Sequence, residues 1–117
     1  LHQRMVEAMV NFVQAAELDA AVSWGDVLSP DVPQGDVAMM LKLLPCLEHQ
    51  DEGSALRMVL ETQADVILAS FPTRSIGGRA KGMDHTYHRR IEIIANESGR
   101  ELERLAFSSE TIFVLKR

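Results

Sequence analysis

Apolar residues recur every three to four positions over residues 1–18, where Met5, Met9, Phe12, Val13 and Ala16 share a side and Arg4, Glu7 and Gln14 fall elsewhere. That period predicts an amphipathic helix whose stripe packs into a core. Residues 20–24 predict a short strand, followed by Gly25-Asp26-Val27-Leu28 and a loop carrying Pro30, Pro33 and Gly35. Asp36 then opens a run through Leu44 that is nearly all apolar, without alternation, and ends at Pro45. Such a run predicts a central parallel strand covered on both faces. Residues 47–63 predict a helix whose later turns bury Ala55, Leu56, Val59 and Leu60, with Gly53 weakening its early part. Residues 64–71 repeat the continuous apolar pattern and predict a second buried strand. Further on, Asp84 is placed to cap a helix that puts Tyr87, Ile91 and Ile94 on one face, and Gly99 to stop it. Residues 102–107 and 111–115 predict two strands, and the three residues between them suit an antiparallel hairpin.

The element order is helix, strand, strand, helix, strand, helix, strand, strand. It predicts an α/β fold, a mixed, doubly wound sheet with parallel strands and a carboxyl-terminal antiparallel hairpin. Composition agrees with one globular domain: 117 residues, 46% hydrophobic and 25% charged. No apolar run approaches the roughly 18 to 20 residues of a membrane span. The single cysteine, Cys46, excludes an internal disulfide and fits a reducing compartment, so the cytoplasm is expected.

Charge is unevenly distributed. Residues 71–90 contain Arg74, Arg79, Lys81, Arg89 and Arg90 against Asp84 alone, a local +4. The remainder is 7 − 16 = −9, which gives the net −5. One basic, glycine-rich segment on an acidic body suits either a local polyanion contact or a solvated loop, and charge by itself does not choose between them.

In open α/β sheets ligands bind beyond the carboxyl ends of the parallel strands, which here means the loops at 25–35, 42–52 and 71–82. Asp26, just past a strand end, can accept from an exocyclic amine while the Val27 amide donates to a ring nitrogen. Taken alone it is more simply a turn-capping aspartate. His85 and His88 lack a third ligand at zinc-type spacing, so no metal is expected. Cys46 beside Pro45 reads as a buried packing residue. No P-loop or G-x-S-x-G nucleophile motif is present.

Two blocks carry a family resemblance. One is Asp36-Val37-Ala38 with Leu41-Lys42-Leu43-Leu44-Pro45-Cys46-Leu47-Glu48. The other runs from Ser70-Phe71-Pro72-Thr73-Arg74-Ser75-Ile76-Gly77-Gly78-Arg79 to Lys81-Gly82-Met83, with Tyr87 after it. Together they resemble the aminoglycoside-resistance 16S rRNA (guanine-N7) methyltransferases, over essentially the whole chain. The resemblance implies a Rossmann-like class I methyltransferase sheet, S-adenosylmethionine as cofactor, and a decoding-site guanine of the 30S subunit as target. By position it implies that Asp26 and Val27 meet the adenine, that Leu41 and Gln50 (or, in the alternative alignment, Asp51) line the methionine side, and that Arg74, Arg79 and Lys81 face RNA. It implies no catalytic acid, base or nucleophile. Family members also carry a glycine-rich first strand and a ribose-holding acid upstream, so residues 1–117 are expected to be the carboxyl-terminal part of a single methyltransferase domain lacking its first strands. Such a piece is expected to be inactive by itself. The rival reading is a non-catalytic RNA- or partner-binding module of the same fold.

Overall fold

The computed structural model describes residues 2–29, 32–50, 53–72 and 83–117, with side chains at 2, 48–50 and 83–86 outside that description. It divides into two units, residues 1–32 and 33–117. The first contains α1 (His2–Ala15) and an irregular segment after it. Residues 20–24 form no strand, contrary to the pattern. The apolar stripe of α1 is also not in a core: Met5, Met9 and Phe12 are exposed, whereas Val6, Val10 and Val13 are half-buried.

The second unit contains β1 (Val37–Leu41), α2 (Leu43–Gln50), α3 (Ser54–Glu61), β2 (Val66–Pro72), α4 (Met83–Ser98), β3 (Glu101–Ala106) and β4 (Glu110–Lys116). Its four strands make one mixed sheet in the order β1-β2-β4-β3. β1 runs parallel to β2, with Val37 opposite Val66 and Leu41 opposite Ser70. β4 lies antiparallel to both β2 and β3, so β2 and β3 point the same way. The two parallel connections, through α2 and α3 and then through α4, step in the same direction across the sheet. Right-handed crossovers therefore set all three helices on one face.

Burial follows from that arrangement. Ile67, Ala69 and Phe71 of β2 stand opposite Leu115, Phe113 and Thr111 of β4 on the helix-covered face, and none is more than 4% exposed. Met40 of β1 joins them. Phe113 meets Phe71 edge-on, with ring centroids 5.4 Å apart and planes at 84°, an arrangement that places positive ring edge against negative face. The opposite face is different. Val37, Met39 and Leu41 are 56–64% exposed, so β1 is an edge strand covered on one face and not the doubly covered central strand that its composition predicts.

The apolar run also ends early. Lys42 adopts φ +56°, which turns the chain straight into α2. Pro45 sits in the first turn of that helix, where its missing N–H has no intrahelical partner to lose, so it is accommodated and stops nothing. The helix expected over 47–63 is two helices, and Gly53 at φ +90° caps the second. α3 buries Ala55 and Val59 as expected, together with Met58, while Leu56 is half-buried and Leu60 is exposed. α4 is described from Met83 onward, so the expected cap Asp84 lies within the helix, and its side chain is outside the described residues. Gly99 ends α4 at φ +70°, with the Gly99 and Arg100 amides donating to the carbonyls of Asn96 and Ala95, a Schellman closure.

Below the sheet, the buried Arg100 donates to the Thr62 carbonyl at 3.0 Å and the Asp65 carbonyl at 3.4 Å, joining the end of α4 to the entry of β2. Burial and then the nearby Arg117 lower its pKa, with Asp65 opposing them.

Phe113 should therefore be the most sensitive core position. Phe113→Leu is expected to destabilise the fold by about 1–2 kcal/mol, through a residual cavity and lost ring contacts. Urea denaturation checks this as a lowered midpoint at unchanged slope.

Candidate functional site

The carboxyl ends of β1 and β2 converge where Leu41 and Ser70 stand opposite each other and the chain enters residues 73–82 after Pro72. Three features shape this edge. The first is the turn at Lys42. Its amide donates at 2.9 Å to the hydroxyl of Ser70, a side chain only 2% exposed. A non-glycine residue in the left-handed region costs about 1 kcal/mol, and this hydrogen bond to a rigid, buried acceptor holds it there.

The second is an ion pair over the same edge. Lys42 Nζ lies 3.5 Å from Glu110 Oε1, and Glu110 is the register partner of Pro72. Lys42 is exposed and Glu110 half-buried, and a surface pair of this kind contributes at most about 1 kcal/mol. It does no more than offset the cost of the left-handed backbone, so the pair is not what makes a lysine worth keeping at this position.

The third is an aromatic floor. Phe71, the penultimate residue of β2, packs on Tyr87 with ring centroids 4.9 Å apart. Residues 71 and 87 flank the basic segment, so its two ends are pinned to one another and to Phe113 beneath. Next along α4, His88 lies 5.7 Å from the Phe113 ring and pairs through Nε2 with Glu92 at 2.8 Å, which occupies one of the two histidines considered as metal ligands. Burial first, and the neighbouring Cys46 second, raise the Tyr87 pKa. Cys46 itself is exposed, not buried as its setting in the sequence suggests.

Asp26 and Val27 belong to the first unit, described separately. There Asp26 Oδ1 accepts the Leu28 amide at 2.9 Å, and the Asp26 carbonyl accepts the Ser29 amide at 3.0 Å. The aspartate does cap a turn. Those bonds use one carboxylate oxygen, and Val27 is the second residue of the same turn. Leu41 is 61% exposed at the end of β1, an apolar side chain available to a ligand. The Gln50 side chain and residues Asp51, Arg74, Arg79 and Lys81 lie outside the described residues. Sequence reasoning missed the Ser70–Lys42–Glu110 arrangement. Serine in an apolar run and a lone lysine after it carry no pattern, and the pairing of Glu110 with Pro72 exists only in the folded register.

The phenol gives a direct check. Tyr87 is the sole tyrosine, so phenolate absorbance reports it alone. Its midpoint should lie above the ordinary tyrosine value in the folded chain and return to that value in urea. Because the fold favours the neutral phenol, stability should hold below the ordinary value and fall as pH rises past it toward the folded midpoint. Cys46→Ser should bring the folded midpoint part of the way down.

Comparison with known proteins places this geometry in a family. The chain matches the family described as "Ribosomal RNA methyltransferase (FmrO)" over residues 1–114. It is 38% identical over 88 residues to a 16S rRNA (guanine(1405)-N(7))-methyltransferase of Serratia marcescens, covering 74% of this chain and 35% of that protein. It is 32% identical over 119 residues to the enzyme of the same name from Frankia casuarinae, covering 100% of this chain and 42% of that protein. Among solved structures, the 16S rRNA methyltransferase RmtF in complex with S-adenosyl-L-homocysteine superposes with a TM-score of 0.82 at 27% identity, over 96% of this chain and 44% of RmtF. The chain thus spans less than half the length of these relatives. On the match over residues 1–114, it belongs to the FmrO family of ribosomal RNA methyltransferases.

Proposed function

We propose that residues 1–117 form the carboxyl-terminal part of an S-adenosylmethionine-dependent methyltransferase that modifies N7 of a decoding-site guanine in 16S rRNA of the 30S subunit, conferring aminoglycoside resistance in the cytoplasm. The observation that supports this most is the basic segment tied, through Phe71 and Tyr87, to the carboxyl end of β2, where ligands of α/β sheets bind. No helix among the described residues is long and apolar enough to cross a membrane.

When bound, S-adenosylmethionine supplies an electrophilic sulfonium methyl. Guanine N7 offers a lone pair with no proton to remove, so the chain need not provide a general base; it must position the partners and exclude water. Asp26 and Val27 take the adenine edge through acceptor and donor. Leu41 and Gln50 (or Asp51) border the methionine side, with Leu41 supplying apolar surface that keeps water off the reacting atoms. Arg74, Arg79 and Lys81 grip phosphates while the guanine leaves its stack.

In an enzyme carrying the full family length, Arg79→Ala should lower tritiated-methyl incorporation into 30S subunits by roughly tenfold or more, with cofactor affinity measured by calorimetry nearly unchanged. Equal loss of cofactor binding would contradict the assignment of Arg79 to RNA. The 117-residue chain by itself should give no incorporation.

A further inference from the structure

We propose that Lys42 is a phosphate-contacting residue for the RNA, parked on Glu110 until a phosphate takes that carboxylate's place; this rests on the RNA-directed reading above. Three observations converge on it. The left-handed backbone at Lys42 is a conformation in which glycine would be unstrained, yet a long cationic side chain occupies it. Strained positions of this kind persist where the surrounding structure enforces them, and here the buried Ser70 hydroxyl does so through the Lys42 amide. The position is thus built, and the surface ion pair is too weak to be its purpose.

Location supplies the ligand class. Glu110 is the register partner, across the sheet, of Pro72, the last residue before the segment bearing Arg74, Arg79 and Lys81. Lys42 Nζ therefore stands at the root of the most basic stretch of the chain, where it adds one more cation at the edge the RNA must approach. A sulfonium cofactor would be repelled by this cation, whereas a phosphate oxygen is a better partner for an ammonium than a solvated carboxylate that must be held by side-chain ordering. Glu110 serves as a placeholder. It keeps the side chain extended over the strand ends and competes weakly with the incoming anion.

The test is binding of the 117-residue chain to a fluorescein-labelled RNA hairpin with an unpaired guanine, by anisotropy across salt concentrations. Lys42→Gln should reduce the slope of log affinity against log salt by about 0.7–0.9, the value of one phosphate contact, so that wild type loses about threefold more affinity than the variant between 50 and 200 mM salt. Lys42→Arg should restore the slope. Glu110→Gln should tighten binding at low salt. Lys42→Gly should keep or raise the melting temperature while showing the same lost slope as Lys42→Gln, a split that a purely structural role does not produce. An unchanged slope in Lys42→Gln beside a steep wild-type slope would overturn the Lys42 assignment alone. Weaker S-adenosylhomocysteine binding in Lys42→Gln with unchanged RNA slope would overturn it in favour of a cofactor carboxylate contact. A wild-type chain with no salt-dependent RNA affinity would overturn both this inference and the RNA-directed reading beneath it.

Discussion

Strand β2 is hydrogen-bonded along both edges, parallel to β1 and antiparallel to β4, while Ile67, Ala69 and Phe71 along its helix-covered face are almost completely removed from water. Within residues 33–117, the carboxyl edge of the sheet depends on this doubly held strand. Its entry is tied to α3 and α4 by Arg100 reaching the carbonyls of Thr62 and Asp65. Its exit carries Ser70, which fixes the turn at Lys42, and Phe71, on which Tyr87 packs. One strand thus determines where β1 must end, where the basic segment must start, and where α4 must bring the chain back.

The consequence is a division between rigid and ligand-facing parts. Phe71, Phe113 and Ile91 fill the space between sheet and helices. Of the groups with chemistry at the carboxyl edge of residues 33–117, Lys42 is exposed and Glu110 half-buried, and their backbone positions are set by that core. A methyl transfer to a ring nitrogen that already bears a lone pair requires placement more than acid or base assistance. On the proposed function, the part of that edge formed by Lys42, Ser70 and Glu110 meets this requirement through strands held in register.

Much of this was legible in the sequence. The continuous apolar runs before Pro45 and before Phe71 announced parallel strands, and both are strands. The hairpin at 101–116 and the stop at Gly99 followed from turn chemistry that acts locally. What was not legible depended on position in the sheet. Residues 37–41 have the composition of a doubly covered strand, yet β1 is an edge with Val37, Met39 and Leu41 exposed, because composition records what can be buried and not which neighbour lies alongside. Residues 20–24 have strand propensity and form none, since a strand needs a partner ladder. Leu43 and Leu44 read as more strand until the backbone at Lys42 turned the opposite way, a change carried by a hydrogen bond from a residue 28 positions away. Of the site residues, Asp26 is singled out in the sequence for its carboxylate, and the structure shows that carboxylate capping a turn. Leu41 was identified by family likeness, and its exposure at the strand end is compatible with that role.

The account stands on one claim, that the carboxyl edge of the parallel strands is the ligand-binding edge. Backbone amide shift mapping by NMR, with S-adenosylhomocysteine titrated into an enzyme carrying the full family length, addresses it most directly. The account predicts perturbations concentrated at residues 25–28, 40–43 and 70–73. Perturbations concentrated at the other end of the sheet, around Val66, Arg100 and Lys116, or none at all, would contradict it.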